Sequence, residues 1–69
     1  MGKKKEMNRP ELDLKKTNGN VFAILGAAQR EWKKAKNPIE EWFKIKNEAL
    51  DTGTYDGVIQ TLMKYFDVK

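Results

Sequence analysis

The chain has 69 residues, carries a net charge of +4, and contains neither cysteine nor histidine. Those facts exclude disulfide stapling and ordinary structural zinc, haem or iron–sulfur ligation, and they leave room for one domain at most. With 39% hydrophobic and 35% charged residues it is polar, yet two Trp, three Phe and two Tyr can anchor a core.

Residues 1–11 read as a flexible basic tail, with Lys3, Lys4, Lys5 and Arg9 and little apolar content. No apolar region follows Lys5, so no secretory signal is expected. No run approaches the roughly 20 apolar residues of a membrane span. The expected location is cytoplasmic, with no membrane partner. Residues 12–69 are expected to form a single all-α, compact three-helix bundle, with helices over about 21–36, 38–51 and 55–66. In Leu12-Asp13-Leu14 the alternation lets both leucines point one way from an extended segment and cap the open end of the core. Lys15-Lys16-Thr17-Asn18-Gly19 is turn chemistry, with Gly19 suited to positive φ.

Asn20 predicts the N-cap of the first helix. Val21, Leu25, Ala28, Trp32 and Ala35 give its apolar stripe, widened by Phe22 and Ile24. Gly26-Ala27-Ala28 reads as a small-residue notch that admits a close neighbour, or alternatively as a ligand or partner groove. Asn37-Pro38-Ile39-Glu40 reads as a capping box opening the second helix. Its inner face is expected to be Ile39, Trp42, Phe43, Ala49 and Leu50, with Ile45 off the stripe. Gly53 predicts a left-handed stop and Thr54 the next N-cap. Tyr55, Val58, Ile59, Leu62, Met63 and Phe66 then form the third helix's apolar face, leaving Asp56, Gly57, Gln60, Thr61, Lys64 and Asp67 outward.

Charge is unevenly placed. Lys and Arg dominate residues 1–36, and acids outnumber them over residues 37–69. Lys15, Lys16, Arg30, Lys33, Lys34 and Lys36 are the candidate contact for nucleic acid or an acidic partner, because Arg30, Lys33 and Lys34 share a helix face. Trp32 beside them reads as core, the alternative being a platform for a stacked base. Trp42, Phe43 and Tyr65 are the candidate protein contact, since in each adjacent aromatic pair one ring lies nearer the edge of the core. A helix-turn-helix reading of the second and third helices fits their short glycine-containing turn. Its recognition helix, however, would open acidic, at Asp56.

No catalytic constellation is legible. Serine is absent, Glu40-Glu41 is the only adjacent acidic pair, and helical neighbours point about 100° apart. The glycines form no phosphate-binding loop. The expectation is therefore no enzyme, no cofactor and no metal site.

Asn18-Gly19-Asn20-Val21-Phe22-Ala23-Ile24-Leu25-Gly26, Gly53-Thr54-Tyr55-Asp56 and Gln60-Thr61-Leu62-Met63-Lys64-Tyr65-Phe66 resemble a family of small uncharacterised bacterial proteins found in phage and conjugative, mobile elements. The resemblance spans about residues 12–68 and implies a small helical fold of mobile-element origin. It implies no activity and no site residues. The function expected from the whole sequence is a small protein-binding adaptor or modulator, with self-association allowed for by its size. The alternative is a weak, sequence-independent nucleic-acid binder using the tail and the basic face of the first helix.

Overall fold

A computed structural model describes residues 9–17 and 19–69, so the greater part of the expected tail, residues 1–8, lies outside the described residues, as does Asn18. Three helices make up the fold: α1 (Val21–Lys34), α2 (Ile39–Asp51) and α3 (Tyr55–Met63). This is the expected three-helix bundle. Two short strands, β1 (Glu11–Leu12) and β2 (Asp67–Val68), add a parallel pair that joins the two ends of the described chain, with Glu11 opposite Asp67 and Leu12 opposite Val68.

The caps follow from local chemistry. Asn20 Oδ1 accepts from the backbone N–H groups of Phe22 and Ala23, and Thr54 Oγ1 accepts from Gly57 N–H at 2.9 Å. Gly19 and Gly53 take the positive φ expected of them, at 71° and 76°. Helix α1 stops two residues earlier than its pattern suggests. Lys36 adopts φ 65°, its N–H reaches Lys33 O, and Asn37 N–H reaches Trp32 O. Those two bonds are a Schellman closure with lysine where glycine is usual.

The expected capping box at α2 does not form. Pro38 is the N-cap residue, without a side-chain cap bond, and Asn37 is buried. The Pro38 carbonyl accepts from Trp32 Nε1 at 2.7 Å and from Glu41 N–H, fastening the α1–α2 connection to the core.

Trp32, Trp42 and Phe66 form the centre of the core, with Phe66 stacked at a tilt against Trp32 (centroids 5.6 Å apart) and edge-on to Trp42 (6.0 Å). Ile24, Leu25 and Ala28 complete the α1 side, and Val58 and Leu62 complete the α3 side. On α2 the buried positions are Trp42, Ile45 and Ala49, which corrects the expected stripe: Ile45 faces inward, while Phe43 and Leu50 lie exposed. The spacing 42, 45, 49 is also a helical repeat, and packing against α3 selects it. Phe22 is 78% exposed rather than widening the α1 stripe, and on α3 Tyr55 and Met63 face outward while Thr61 is buried.

The N-terminal boundary is also corrected. Residues 9–11, assigned to the tail, belong to the fold. Pro10 is buried, its carbonyl accepts from Asp67 N–H, and the Arg9 guanidinium donates to the carbonyls of Met63 (2.7 Å) and Lys64 (3.1 Å). That cation sits at the C-terminal end of α3, where a helix dipole favours it. Leu12 is buried in the core as expected. Leu14 is only half-buried, because a 3₁₀ turn over Leu14–Lys16 bends the chain back toward α1.

Candidate basic groove along the first helix

Helix α1 and the segment 11–17 do not meet along their full length. Between them runs a groove of about 820 Å³. Ala23, Gly26 and Ala27 line it from α1, and Leu12 and Thr17 line it from the segment. Arg30 and Lys34 stand on the helix side, Lys16 stands on the opposite side, and Lys69 also lines it.

The bend that places Lys16 there is local. Asp13 Oδ1 accepts from Lys15 N–H and caps the 3₁₀ turn, while the Thr17 N–H and hydroxyl both donate to Leu14 O. Three acids share the groove. Glu31 lies 3.8 Å from Lys34, and Glu11 accepts from Lys69 at 3.1 Å, which pushes the Lys69 ammonium above its ordinary pKa. Asp13 is the third, occupied by the cap. Among the described residues Lys16, Arg30 and Lys33 make no ion pair.

Six basic residues were expected to act together, and the structure gathers only some of them. Lys16, Arg30 and Lys34 share the groove, and Lys33 joins Arg30 and Lys34 in an adjoining shallow hollow that also contains Gly26 and Gln29. Lys15 and Lys36 are exposed and line neither. Lys69 was not foreseen, since only the pairing of β1 with β2 brings it alongside α1, and nor were the acids, Glu31 on α1 and Glu11 and Asp13 on the facing segment. Gly26 is not a packing notch. A Cβ there would meet nothing within 4 Å, so the glycine opens onto the groove instead of admitting a neighbour from its own fold.

The expected protein contact is also divided. Trp42 is 0% exposed and donates through Nε1 to Gln29 Oε1 at 3.0 Å, so it is core and not contact surface. Trp32 is buried too, which removes the stacking-platform alternative. Phe43 is 48% exposed, with the Lys46 ammonium 6.0 Å from its ring centre. Tyr65 is half-buried and donates its hydroxyl to Glu48 Oε1 at 3.1 Å, while Lys64 holds Oε2 at 2.8 Å. Those two bonds, Lys64 first, lower the Glu48 pKa. Burial, then the bond to Glu48, raises that of Tyr65.

No helix among the described residues is long and apolar enough to cross a membrane, and no group of three or more carboxylates there is placed to hold a metal ion. Comparison of the chain with protein-family models, curated proteins and solved structures found no match.

Proposed function

We propose that the chain is a small non-enzymatic, cytoplasmic module that binds an acidic segment of a protein partner along α1, as an adaptor or modulator. The single observation behind this reading is the groove itself, where Lys16 and Arg30, neither of them in an ion pair among the described residues, line a space with Ala23, Gly26 and Ala27. A wall of small residues lets another backbone approach closely, and the cations supply the attraction. Glu11, Asp13 and Glu31 make the groove mixed in charge. That suits a peptide carrying both apolar and acidic side chains better than a uniform phosphate chain. The mobile-element origin implied by the phrases at 18–26, 53–56 and 60–66 belongs to the same proposal.

The test is zero-length carbodiimide cross-linking, which joins lysine amines to carboxylates, in host extract. A partner joined to the native chain and absent with the Lys16→Glu/Arg30→Glu variant supports the reading. Identical capture by both proteins would sink it.

The second reading, sequence-independent nucleic-acid binding, is favoured by Arg30, Lys33 and Lys34 standing on adjacent turns around one hollow. It predicts anisotropy-detected binding to duplex or single-stranded DNA or to RNA. That binding should weaken steeply between about 50 and 150 mM salt and vanish when the three charges are reversed.

A further inference from the structure

Large apolar side chains are left in solvent on two elements that lie side by side. Phe22 projects from α1, and Phe43 and Leu50 project from α2. The Trp42–Gln29 bond places α2 on the Gln29 side of α1, next to Gly26 and Lys33 on the helical wheel. Glu48, held by Lys64 and Tyr65, marks the edge of α2 nearest the C-terminal end of α3. Phe43 and Leu50 lie on the other edge. Both apolar sets therefore border the outer seam between α1 and α2, the side that α3 leaves uncovered.

We infer that this seam is an interface with a second copy of the chain, α1 of each copy lying antiparallel on α2 of the other about a two-fold axis. Charge complementarity selects that occupant. Lys33 on α1 and Glu40 on α2 both make no ion pair among the described residues and carry opposite charges. The short connection at 35–38 turns the chain back, so counting residues outward from it pairs Lys33 with Glu40, Gly26 with Asn47, and Phe22 with Leu50, a count in keeping with the Gln29–Trp42 bond. A two-fold axis parallel to the helices preserves those levels. It brings Lys33 to Glu40 and Phe22 to Leu50 twice over, with Gly26 allowing the backbones to close at the middle. Antiparallel helices also set each basic C-terminal turn beside an acidic N-terminal one. An isologous contact of this kind closes at two copies.

Sedimentation velocity of the full chain over a concentration series up to about 100 µM tests this, since a self-association is read from its concentration dependence. The expected result is a monomer–dimer equilibrium. Lys33→Glu or Glu40→Lys alone should weaken it about tenfold or more, and the double exchange Lys33→Glu/Glu40→Lys should restore it. Gly26→Leu gives a second reading. A Cβ there meets nothing within 4 Å in one copy, and the longer side chain would stand in the seam, so helicity by circular dichroism should stay while the dimer is lost. A chain that remains monomeric throughout, or a double exchange that fails to restore association, overturns the interface.

Discussion

Trp42 Nε1 donates to Gln29 Oε1 at 3.0 Å, so a half-buried polar side chain on α1 satisfies the polar edge of a tryptophan that is otherwise wholly enclosed. Replacing the acceptor leaves that N–H buried and unpaired, a loss of about 1–3 kcal/mol. Gln29→Leu should therefore destabilise the fold by that amount in urea unfolding, although leucine favours helix. In a Trp42→Phe background the same change should cost little, because no donor remains. Equal costs in both backgrounds would show that the bond contributes nothing.

Phe66 touches both core tryptophans and lies beyond the end of α3. Truncating a buried phenylalanine costs about 3–5 kcal/mol. A domain of this size has only about 3–10 kcal/mol in all. Phe66→Ala should take away half or more of that stability and lower the thermal midpoint steeply by far-ultraviolet circular dichroism. Phe66→Leu should remain folded with a lowered midpoint. A cooperative, near-native melt for the alanine variant would contradict this account of the core.

Lys36 holds a left-handed backbone, φ 65°, that an L side chain enters at a cost of about 1–2 kcal/mol. Glycine removes the cost while keeping both closure bonds. Lys36→Gly should raise the unfolding free energy by about 1 kcal/mol, and Lys36→Ala should leave it nearly unchanged. A gain with alanine equal to that with glycine would trace the effect to lost charge rather than to backbone strain.

Gly57 presents the reverse case. A Cβ there would overlap the Thr52 side chain and crowd the Thr54 hydroxyl that caps α3. Gly57→Ala should be destabilising even though alanine is the better helix former by about 1 kcal/mol. Thr52→Gly, which removes both the Oγ1 and the Cβ that would be overlapped, should recover part of the loss when combined with it. Simple additivity of the two changes would show that the clash is relieved elsewhere.

Glu48 has its pKa lowered by its bonds to Lys64 and Tyr65, so the folded state releases that proton more readily than the unfolded chain. Its contribution to stability is complete above the ordinary carboxylate value of 4.5 and declines as pH falls through the lowered folded value. Thermal midpoints should fall on acidification below about pH 4.5, and the slope should be shallower in Glu48→Gln. Lys64, raised by the same bond, loses its share only as pH climbs through its folded value. Identical acid slopes in native and variant proteins would remove Glu48 from the pH response.

Much of this fold is readable from short-range chemistry. Asn20 and Thr54 cap where their side chains predict, and Gly19 and Gly53 turn where only glycine is comfortable. The face of α2 was not readable, because 39, 42, 43, 49, 50 and 42, 45, 49 both satisfy a helical repeat, and the choice rests on how α3 packs. The β1–β2 pair had no local signal at all. Two-residue strands have no periodicity, and the partners lie at opposite ends of the described chain. The candidate groove follows the same division. Arg30, Lys33 and Lys34 share a face by spacing alone, whereas Lys16 and Lys69 reach α1 only through the 3₁₀ turn and the strand pair. Trp42 was placed both on the inner face and in the contact set, and only the inner face holds, because adjacency to Phe43 does not say which of the two rings turns inward.

Arg9 and Lys64 are 55 positions apart in sequence, yet the Arg9 guanidinium reaches the Lys64 carbonyl, and β1 waits on β2 for its backbone partners. During synthesis all three helices are made between the first half of this clasp and the second. Leu12 can meet α1 early, but the strand pair and the Arg9 bonds must wait until residues 63–69 are made. Amide exchange should therefore be faster at Asp67 and Lys69, held by the strand pair, than at Leu62 in α3.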